Sequence, residues 1–432
     1  MAERTKFLSY CIYSCVISAI VYPVEAHWAW GGGWLSKEIL GVTYIDFAGS
    51  SLIHMVGGIS SFIGALILGP RWGKYLDKDK RLTLDRRKAV HVRAIPGHNL
   101  TIGALGVFIL WFGWFGFNGG STVCATGGDV LTSMGRIFVT TNMAAASAAT
   151  ATMFLTWLRY GKPDVSMTLN GALAGLVAIT AGCDAVSFPG AFVIGIIAGL
   201  VIVFAVEFFD QIARIDDPVG AISVHGVCGA LGTLLVGVFA VDGGLLYGGG
   251  SELLIIQATG VAAVAAYIGI VMTLIFQILD KTIGLRVSTR EEIAGLDMEE
   301  HGLASSYADF MPAAEDFHGA VTAQEAAEAG AAVTHVTAAL PAAGRPKMTK
   351  IVTSQLRFEI LKEALDKLGI TGMTVTKVLG YGLQKGNTEY YRGAEVSVHL
   401  LPKVKVELVV SAIPVAAVVA AAKKVLYTGK YG

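Results

Sequence analysis

Two histidines lie inside apolar stretches of the sequence, where a polar ring is costly and needs a specific reason to be present. His54 stands in the segment SSLIHMVGG, and His225 stands in the segment AISVHGVCGALG. Two neutral imidazoles on neighbouring helices can hydrogen-bond each other and so relay a proton or line a narrow polar path. In the alternative, each histidine separately bonds a backbone or hydroxyl group. The local sequence leaves both interpretations open.

Asp46 precedes His54 by eight residues, at the start of the same apolar stretch. If the helix begins at Asp46, His54 lies about 12 Å further along it, well inside a bilayer. A carboxylate at this place either caps a helix end or a broken turn, or contacts a substrate. We favour the capping interpretation from the local sequence.

Aromatic side chains gather in two further segments, HWAWGGGWL around Trp30 and GWFGFNGGS around Phe117 and Ser121. Rings at the ends of apolar stretches are typical of the aromatic belt at a membrane surface. They also suit a site that attracts a small cation through ring faces, with the Ser121 hydroxyl as an acceptor. Both interpretations place these residues where the chain leaves the membrane.

The composition predicts a membrane protein. Of the 432 residues, 54% are hydrophobic and only 15% are charged, whereas soluble domains carry about 25% charged residues. The mean hydropathy is +0.61. Lys+Arg and Asp+Glu are equal at 33 each, so bulk charge indicates no nucleic-acid partner. Five cysteines in so long a chain imply no disulfide framework.

Eight apolar stretches approach the roughly 20 residues that cross a bilayer. Lysine and arginine are concentrated in alternate connections, above all in the loop of residues 70–97, which places both chain ends in the cytoplasm. The predicted spans are 7–26, 45–69, 99–118, 137–158, 167–187, 191–208, 219–241 and 253–279.

The chain after the last span has a different character. Residues 1–307 form the predicted membrane domain, and 308–347 form an Ala-rich linker. Residues 348–432 alternate predicted strands and amphipathic helices in the order β-α-β-β-α, most of a ferredoxin-like domain. The fold class is therefore an all-α polytopic membrane protein followed by a small α/β module.

The motifs HWAWGGGWL, DFAGSSLIHMVGG, GWFGFNGGS, DDPVGAISVHGVCGALG and GLRVSTREEIAGLDMEEHG resemble the ammonium transporter family, related to methylammonium permeases and Rh proteins. The resemblance implies a homotrimer with one pore in each subunit. It implies that Trp30 and Ser121 recruit ammonium, that Phe117 gates the pore, and that Asp46 is structurally essential nearby. It also implies that His54 and His225 are the paired pore histidines.

The family has eleven spans, and the eight predicted here match its last eight. Met1 falls where members of the family continue from their third span. The resemblance therefore implies a longer polypeptide, with about three further spans before Met1 and a completed module after Gly432.

The module itself resembles the P-II nitrogen regulatory proteins through residues 369–410, GITGMTVTKVLGYGLQKGNTEYYRGAEVSVHLLPKVKVELVV. The resemblance implies that its long loop, from about Tyr381 to Val398, is the T-loop. It implies that ATP or ADP, Mg²⁺ and 2-oxoglutarate act as effectors, and that Arg392 is the T-loop arginine that blocks a pore. The matching effector positions are Gly380, Gly382, Gln384 and Lys403.

The two resemblances together predict an ammonium transporter of the inner or plasma membrane, regulated by its own fused P-II domain docked on the cytoplasmic pore mouth. The substrates would be ammonium and methylammonium, with no cofactor required for transport, no metal in the membrane domain and no enzymatic activity. An ammonium-sensing receptor that signals through the tail and transports little is the main alternative. A fragment without function is a third.

Overall fold

The computed structural model of the chain describes residues 1–97, 99–301, 347–370, 372–380, 388–391, 394–397, 401–410 and 413–426. The chain divides into two compact units, which are described separately below. Of the predicted site residues, Gly382, Gln384 and Arg392 lie outside the described part, as does almost all of the predicted linker.

The first unit is built from long helices whose side chains are mostly apolar and therefore avoid contact with water. Short π-helical turns interrupt, begin or end several of them, at Ile17–Val21, Ser50–Met55, Phe208–Ile212 and Ile222–Val227. The helices are α1 (Phe7–Val16), α2 (Tyr22–Ala29), α3 (Val56–Leu68), α4 (Leu100–Gly120), α5 (Gly128–Tyr160), α6 (Val165–Ile179), α7 (Phe188–Glu207), α8 (Cys228–Phe239), α9 (Glu252–Thr282), α10 (Thr289–Ala294) and α11 (Leu296–His301).

Within the described residues, seven helical segments are long and apolar enough to cross a membrane. Seven of the eight predicted spans correspond to these segments; the remaining one, the stretch 167–187, contains a shorter apolar helix, and the count of eight spans stays a prediction. This helix, α6, has 15 residues, about 22 Å of rise, whereas the hydrocarbon core is about 30 Å thick. The chain turns at residues 180–185 instead of continuing, and most side chains of α6 are buried by neighbouring helices.

Small residues allow α5, α6 and α7 to pack closely. A Cβ atom added at Gly175 of α6 would lie 2.4 Å from the carbonyl oxygen of Ala144 in α5. One added at Gly199 of α7 would lie 2.4 Å from the carbonyl oxygen of Ala148. Such close helix approach is the usual way in which membrane helices associate, because lipid supplies no hydrophobic driving force between them.

Consecutive spans run in opposite directions, so the unit has two ends. We call the end that carries Trp30 and Ser121 the Trp30 end, and the opposite end, which carries Arg71, the Arg71 end. The connection between α3 and α4 lies at the Arg71 end and folds into three short antiparallel strands, in the order β2-β1-β3: β1 (Tyr75–Leu76), β2 (Leu82–Thr83) and β3 (His91–Val92).

The described residues of the tail form a three-stranded antiparallel sheet, a two-stranded sheet and two helices. Strand β8 is central because it pairs with both β4 and β5. Its residues alternate between the two faces of the sheet, and Val404, Val406, Leu408 and Val410 are buried against both helices. The elements are β4 (Lys347–Ser354), α12 (Gln355–Asp366), β5 (Thr374–Gly380), β6 (Thr388–Tyr391), β7 (Ala394–Ser397), β8 (Leu401–Val410) and α13 (Val415–Leu426).

The predicted order of strands and helices in the tail is found, with one difference. The structure places a two-stranded sheet, β6 and β7, within the predicted long loop. Thr388, Tyr390 and Tyr391 favour a strand, which accounts for β6 within the stretch predicted as a loop.

Candidate functional site

The Asp46 side chain organises the first part of the site. Its Oδ1 accepts the N–H groups of Gly49 and Ser50 at 2.9 and 2.8 Å. Its Oδ2 accepts the N–H groups of Ser51 and Leu52 at 2.9 and 3.0 Å, and the Ser51 hydroxyl at 2.6 Å. The carboxylate thus caps the start of a helix, which is the interpretation favoured from the sequence.

The position of the helix start corrects one expectation. Residues 46–49 are not helical, and the helix begins at Ser50. His54 therefore stands on the first turn, about 6 Å of rise from the helix start, and not about 12 Å along a helix that opens at Asp46. The Gly49 backbone, with φ of +104°, makes the change of direction that an L side chain resists.

A second copy of this turn precedes His225. Asp217 accepts the N–H groups of Gly220, Ala221 and Ile222 at 3.0, 3.0 and 2.8 Å, and Gly220 has φ of +78°. The helix that follows begins at Ile222 and carries His225 on its first turn. Both copies have the sequence pattern Asp-x-x-Gly-x-x-x-x-His. This repeat was not among the sequence predictions, although the shared spacing is visible in the sequence alone.

The two helices cross with their backbones in contact. A Cβ atom on Gly58 would lie 2.0 Å from the backbone nitrogen of Gly226, and one on Gly229 would lie 2.4 Å from the carbonyl oxygen of Ser50. Because a later residue of one helix meets an earlier residue of the other, the helices run in opposite directions. This crossing brings the two first turns, and hence the two histidines, together.

The histidine pair is the centre of the site. The Nδ1 atoms of His54 and His225 are 3.2 Å apart, and the two rings are nearly parallel, with centroids 5.2 Å apart. One ring must donate and the other accept, so the pair shares a proton-carrying hydrogen bond between neutral imidazoles. Separate backbone or hydroxyl partners for the two Nδ1 atoms, the alternative left open above, are not what the structure contains.

Two aromatic rings cover His54. The Trp114 ring stacks on the imidazole at 5.0 Å between centroids, and the Phe117 ring lies 5.3 Å away, tilted. Trp114 is held by a hydrogen bond from its Nε1 to the hydroxyl of Thr180 at 3.0 Å. Sequence reasoning identified Phe117 and missed Trp114, although a spacing of three residues puts both on one face of a helix.

The second ring nitrogen of His54 is buried. His54 is only 9% exposed, and its Nε2 is buried without a hydrogen-bond partner in the part of the chain that the structure describes. An open, mostly apolar cavity of about 830 Å³ is lined in part by Met55 and Gly226, which follow the two histidines in the chain, and by Gly58. The pair is thus a polar contact set in apolar surroundings.

At the Trp30 end, the two predicted recruitment residues are each tied to another member of the site. Trp30 follows the last residue of α2, is 43% exposed, and donates from Nε1 to the carbonyl oxygen of Asp46 at 2.9 Å. Ser121 follows α4 and donates to the carbonyl oxygen of Phe117 at 2.9 Å. The partly exposed Phe117 ring therefore lies between this end and His54.

At the Arg71 end, an ion-pair cluster holds the turn that leads to His225. Arg71 binds the Asp216 carboxylate through Nε at 2.9 Å and through Nη2 at 3.0 Å. The buried Arg4 side chain donates to the carbonyl oxygen of Asp216 at 2.8 Å. Burial by itself would raise the pKa of Asp216, but the hydrogen bonds and charge of Arg71, together with Arg4, hold that pKa well below its usual range.

In the second unit, two of the four predicted effector positions are described. Gly380 and Lys403 lie on adjacent strands, where Gly380 pairs with Leu401 and Lys403 pairs with Val378. The two residues are therefore two register positions apart at one end of the sheet. Their binding of nucleotide or 2-oxoglutarate stays a prediction.

Comparison with known proteins assigns these two parts. The model of the Ammonium Transporter Family matches residues 1–306, and the model of the Nitrogen regulatory protein P-II family matches residues 346–432. The chain belongs to the ammonium transporter family. The membrane-spanning, helical nature of its first part and the resemblance of its tail to P-II proteins are thereby confirmed.

The names of similar proteins agree with this family assignment. The chain is 45% identical over 330 residues to ammonium transporter Amt2 of Archaeoglobus fulgidus, covering 72% of this chain and 66% of the relative. It is 38% identical over 339 residues to ammonium transporter 1 member 1 of Solanum lycopersicum, covering 72% and 67%. The chain thus spans about two thirds of the length of these relatives.

Among solved structures, a protein described as a sensor Amt protein superposes with a TM-score of 0.60 at 37% identity. The match covers 70% of this chain and 72% of that one. Candida albicans Mep2 superposes with a TM-score of 0.57 at 27% identity, covering 71% and 66%.

Proposed function

We propose that this protein conducts ammonium and methylammonium across a membrane along a path that passes His54 and His225. The observation that carries the proposal is the 3.2 Å contact between their Nδ1 atoms beneath the Trp114 and Phe117 rings. A bare cation is costly in an apolar pore, whereas neutral ammonia and a separately relayed proton are not. Relatives named as ammonium transporters support this reading.

The steps follow from the order of the residues. Ammonium is recruited at the Trp30 end, where the Trp30 ring offers a cation–π face and Ser121 an acceptor oxygen. It passes the Phe117 ring and gives up its proton before the apolar region. Ammonia then moves along the apolar wall while the proton crosses the imidazole pair. Asp46 and Asp217 fix the backbone of the two turns that carry the histidines.

The test is uptake of labelled methylammonium by the protein in lipid vesicles. His54→Ala and His225→Ala should each change the rate or the ratio of methylammonium to potassium conducted, because each removes one half of the relay. His27→Ala, at an exposed histidine before Trp30, serves as the matched control and should conduct like the parent. Parent-like conduction and selectivity in both pore variants would reduce the pair to a structural role.

We further propose that the fused P-II region regulates conduction from the cytoplasmic side of the plasma or inner membrane, with the membrane domain assembled as a homotrimer. Tethering holds a regulator at an effective concentration in the millimolar range, so weak docking suffices for control. ATP or ADP, Mg²⁺ and 2-oxoglutarate would set its state through Gly380, Gly382, Gln384 and Lys403. The Arg392 guanidinium, planar and permanently charged, would enter and block the pore mouth.

Arg392→Ala should therefore raise basal uptake and make it insensitive to the nucleotides and to 2-oxoglutarate. Lys367→Ala is the matched control, since Lys367 is an exposed cation of the P-II region whose described ion pair is with Glu363, four residues earlier. Uptake of Arg392→Ala that equals the parent and still responds to effectors would exclude pore blocking by this arginine.

Sensing is the second candidate, and one observation favours it: the sensor Amt protein that superposes on this chain at 37% identity. A sensor would bind ammonium at the Trp30 end and pass the change to the tail with little flux. Ammonium-dependent change in effector binding by the tail, without methylammonium uptake, would establish this alternative.

A further inference from the structure

One buried carboxyl group in the membrane domain takes no part in the site described above. Glu25 lies in α2 and is 0% exposed. Neither of its carboxyl oxygens has a hydrogen-bond partner in the part of the chain that the structure describes. An ionised carboxylate that is buried and unpaired costs several kcal/mol, so a charge-neutralising species must accompany it.

Among the described residues, no protein cation accompanies Glu25. The charged side chain that acts on it is Asp46, of the same sign, in the loop packed beside α2. Tyr22 on its own helix, Tyr44 of that loop and Tyr267 of α9 also interact with it electrostatically, and all three are neutral phenols. The choices that neutralise Glu25 are thus a proton or a cation from solution.

Aromatic rings surround the group. Val21, Glu25 and Trp28 are spaced four and three residues apart and share one face of α2. Tyr267 spans this face, because its hydroxyl donates to the carbonyl oxygen of Val21 at 3.4 Å and its ring contacts the Trp28 ring at 5.1 Å between centroids. Glu25 therefore lies between the two points where Tyr267 touches the helix.

A carboxylate flanked by aromatic faces is a suitable environment for a small protonated amine. The carboxylate supplies the opposite charge and accepts N–H bonds, while ring faces attract the cation when it has shed water. The next turn of the same helix ends at Trp30, the predicted recruitment residue, whose Nε1 is bonded to the backbone of Asp46. The group thus belongs to the half of the domain where a cation arrives.

We propose that Glu25 is a proton-for-cation exchange site that binds ammonium or methylammonium. In the empty state the carboxyl keeps its proton. On binding, the O–H bond breaks, the proton leaves to water, and the carboxylate that remains pairs with the incoming amine cation beside the Trp28 and Tyr267 rings. The inference rests on the proposed ammonium transport, since it adds a binding site to the same half of the path.

The decisive measurement is infrared difference spectroscopy of the full chain in lipid vesicles, with and without ammonium chloride. A protonated carboxyl gives a C=O stretching band, and we expect ammonium and methylammonium to abolish it. Glu25→Gln should lack this difference band, and Glu25→Asp should retain it at a shifted frequency. Glu38→Gln, at an exposed glutamate in the loop after Trp30, is the matched control and should keep the parent band.

A difference band that survives in Glu25→Gln, or the absence of any ammonium-dependent band in the parent, would overturn the proposal. An equal band loss with potassium chloride would overturn its assignment to amines. The spectra report the exchange whether or not the protein transports. Failed transport with an intact band change therefore refutes the proposed function alone, and normal transport without a band change refutes the exchange site alone.

Uptake gives a second readout. Glu25→Gln removes a charged partner of the cation, so half-saturation by methylammonium should shift to a concentration about tenfold or more higher. The pH dependence of that half-saturation should flatten, because the exchange of a proton is lost. An unchanged half-saturation and pH profile, in a variant that assembles like the parent, would count against the site.

Discussion

The two histidine-bearing turns have the same sequence spacing and the same backbone, yet differ in what surrounds them. Around Asp46, the carboxylate accepts four backbone N–H groups and a hydroxyl in a fully buried setting, and His54 is covered by two aromatic rings. Around Asp217, the neighbouring Asp216 joins a cluster of arginines at the Arg71 end. A repeated local motif therefore supplies the geometry, and its neighbours decide the chemistry.

The largest expected difference between the Asp46 turn and the Asp217 turn concerns their capping carboxylates. Asp46→Ala leaves several buried donors without a partner, at about 1–3 kcal/mol each, and should lower stability by about 4 kcal/mol. Asp217→Ala removes a partly exposed cap and should cost about 1–2 kcal/mol. Thermal unfolding in detergent measures both. Equal losses would mean that burial does not distinguish the two turns.

The ion-pair cluster around Asp216 should make the folding stability sensitive to acid. Because the folded pKa of Asp216 is depressed, its stabilising contribution is fully present above its unfolded pKa of about 4 and is lost as the pH falls below that value. Asp216→Asn should destabilise the protein by about 3 kcal/mol at neutral pH, since it leaves Arg71 and Arg4 buried without their carboxylate.

The same variant should lose part of the acid sensitivity of the parent. Unfolding temperatures measured between neutral pH and pH of about 3 would test this. Asp242→Asn, at an exposed aspartate in the α8–α9 connection, is the control and should follow the parent at every pH. A parent whose stability is flat on acidification would contradict the role given to Asp216.

The smallest expected effect on stability concerns Gly49 and Gly220, the glycines with positive φ in the two turns. A side chain at either place costs about 1–2 kcal/mol for the left-handed backbone. At Gly49 a Cβ atom would in addition lie 2.6 Å from the Ile53 side chain, whereas at Gly220 the nearest atom is 3.4 Å away. Gly49→Ala should therefore lower stability by about 2 kcal/mol and Gly220→Ala by about 1 kcal/mol. Gly103→Ala, in open space on a helix, should have no cost.

Much of the architecture follows from the sequence because it depends on local composition. Long apolar stretches must be helices in lipid, since only a helix satisfies its own backbone there, and seven of the eight predicted spans are such helices. The remaining predicted stretch holds α6, a helix of 15 residues whose side chains are mostly buried by other helices. Hydropathy measures the apolar character of a stretch and says nothing of what covers it.

The site divides in the same way. His54, His225, Asp46 and Phe117 can be selected from sequence because polar or aromatic residues at those places are unusual in a membrane span. Trp114 is placed on the face of Phe117 by its spacing, but only the structure shows that it stacks on His54. The same holds for Glu25, whose unpaired burial depends on Tyr267, more than two hundred residues away in the chain.

By itself, the sequence determines the helical class, the two-part organisation and the pair of Asp-x-x-Gly-x-x-x-x-His turns, because each depends on residues close together in the chain. The tertiary structure decides that the two turns meet, because that requires Gly58 and Gly226 to bring two helix backbones into contact. It also decides that the Nδ1 atoms of His54 and His225 lie 3.2 Å apart. A contact between residues 171 positions apart depends on the packing of the helices between them, which no local pattern encodes.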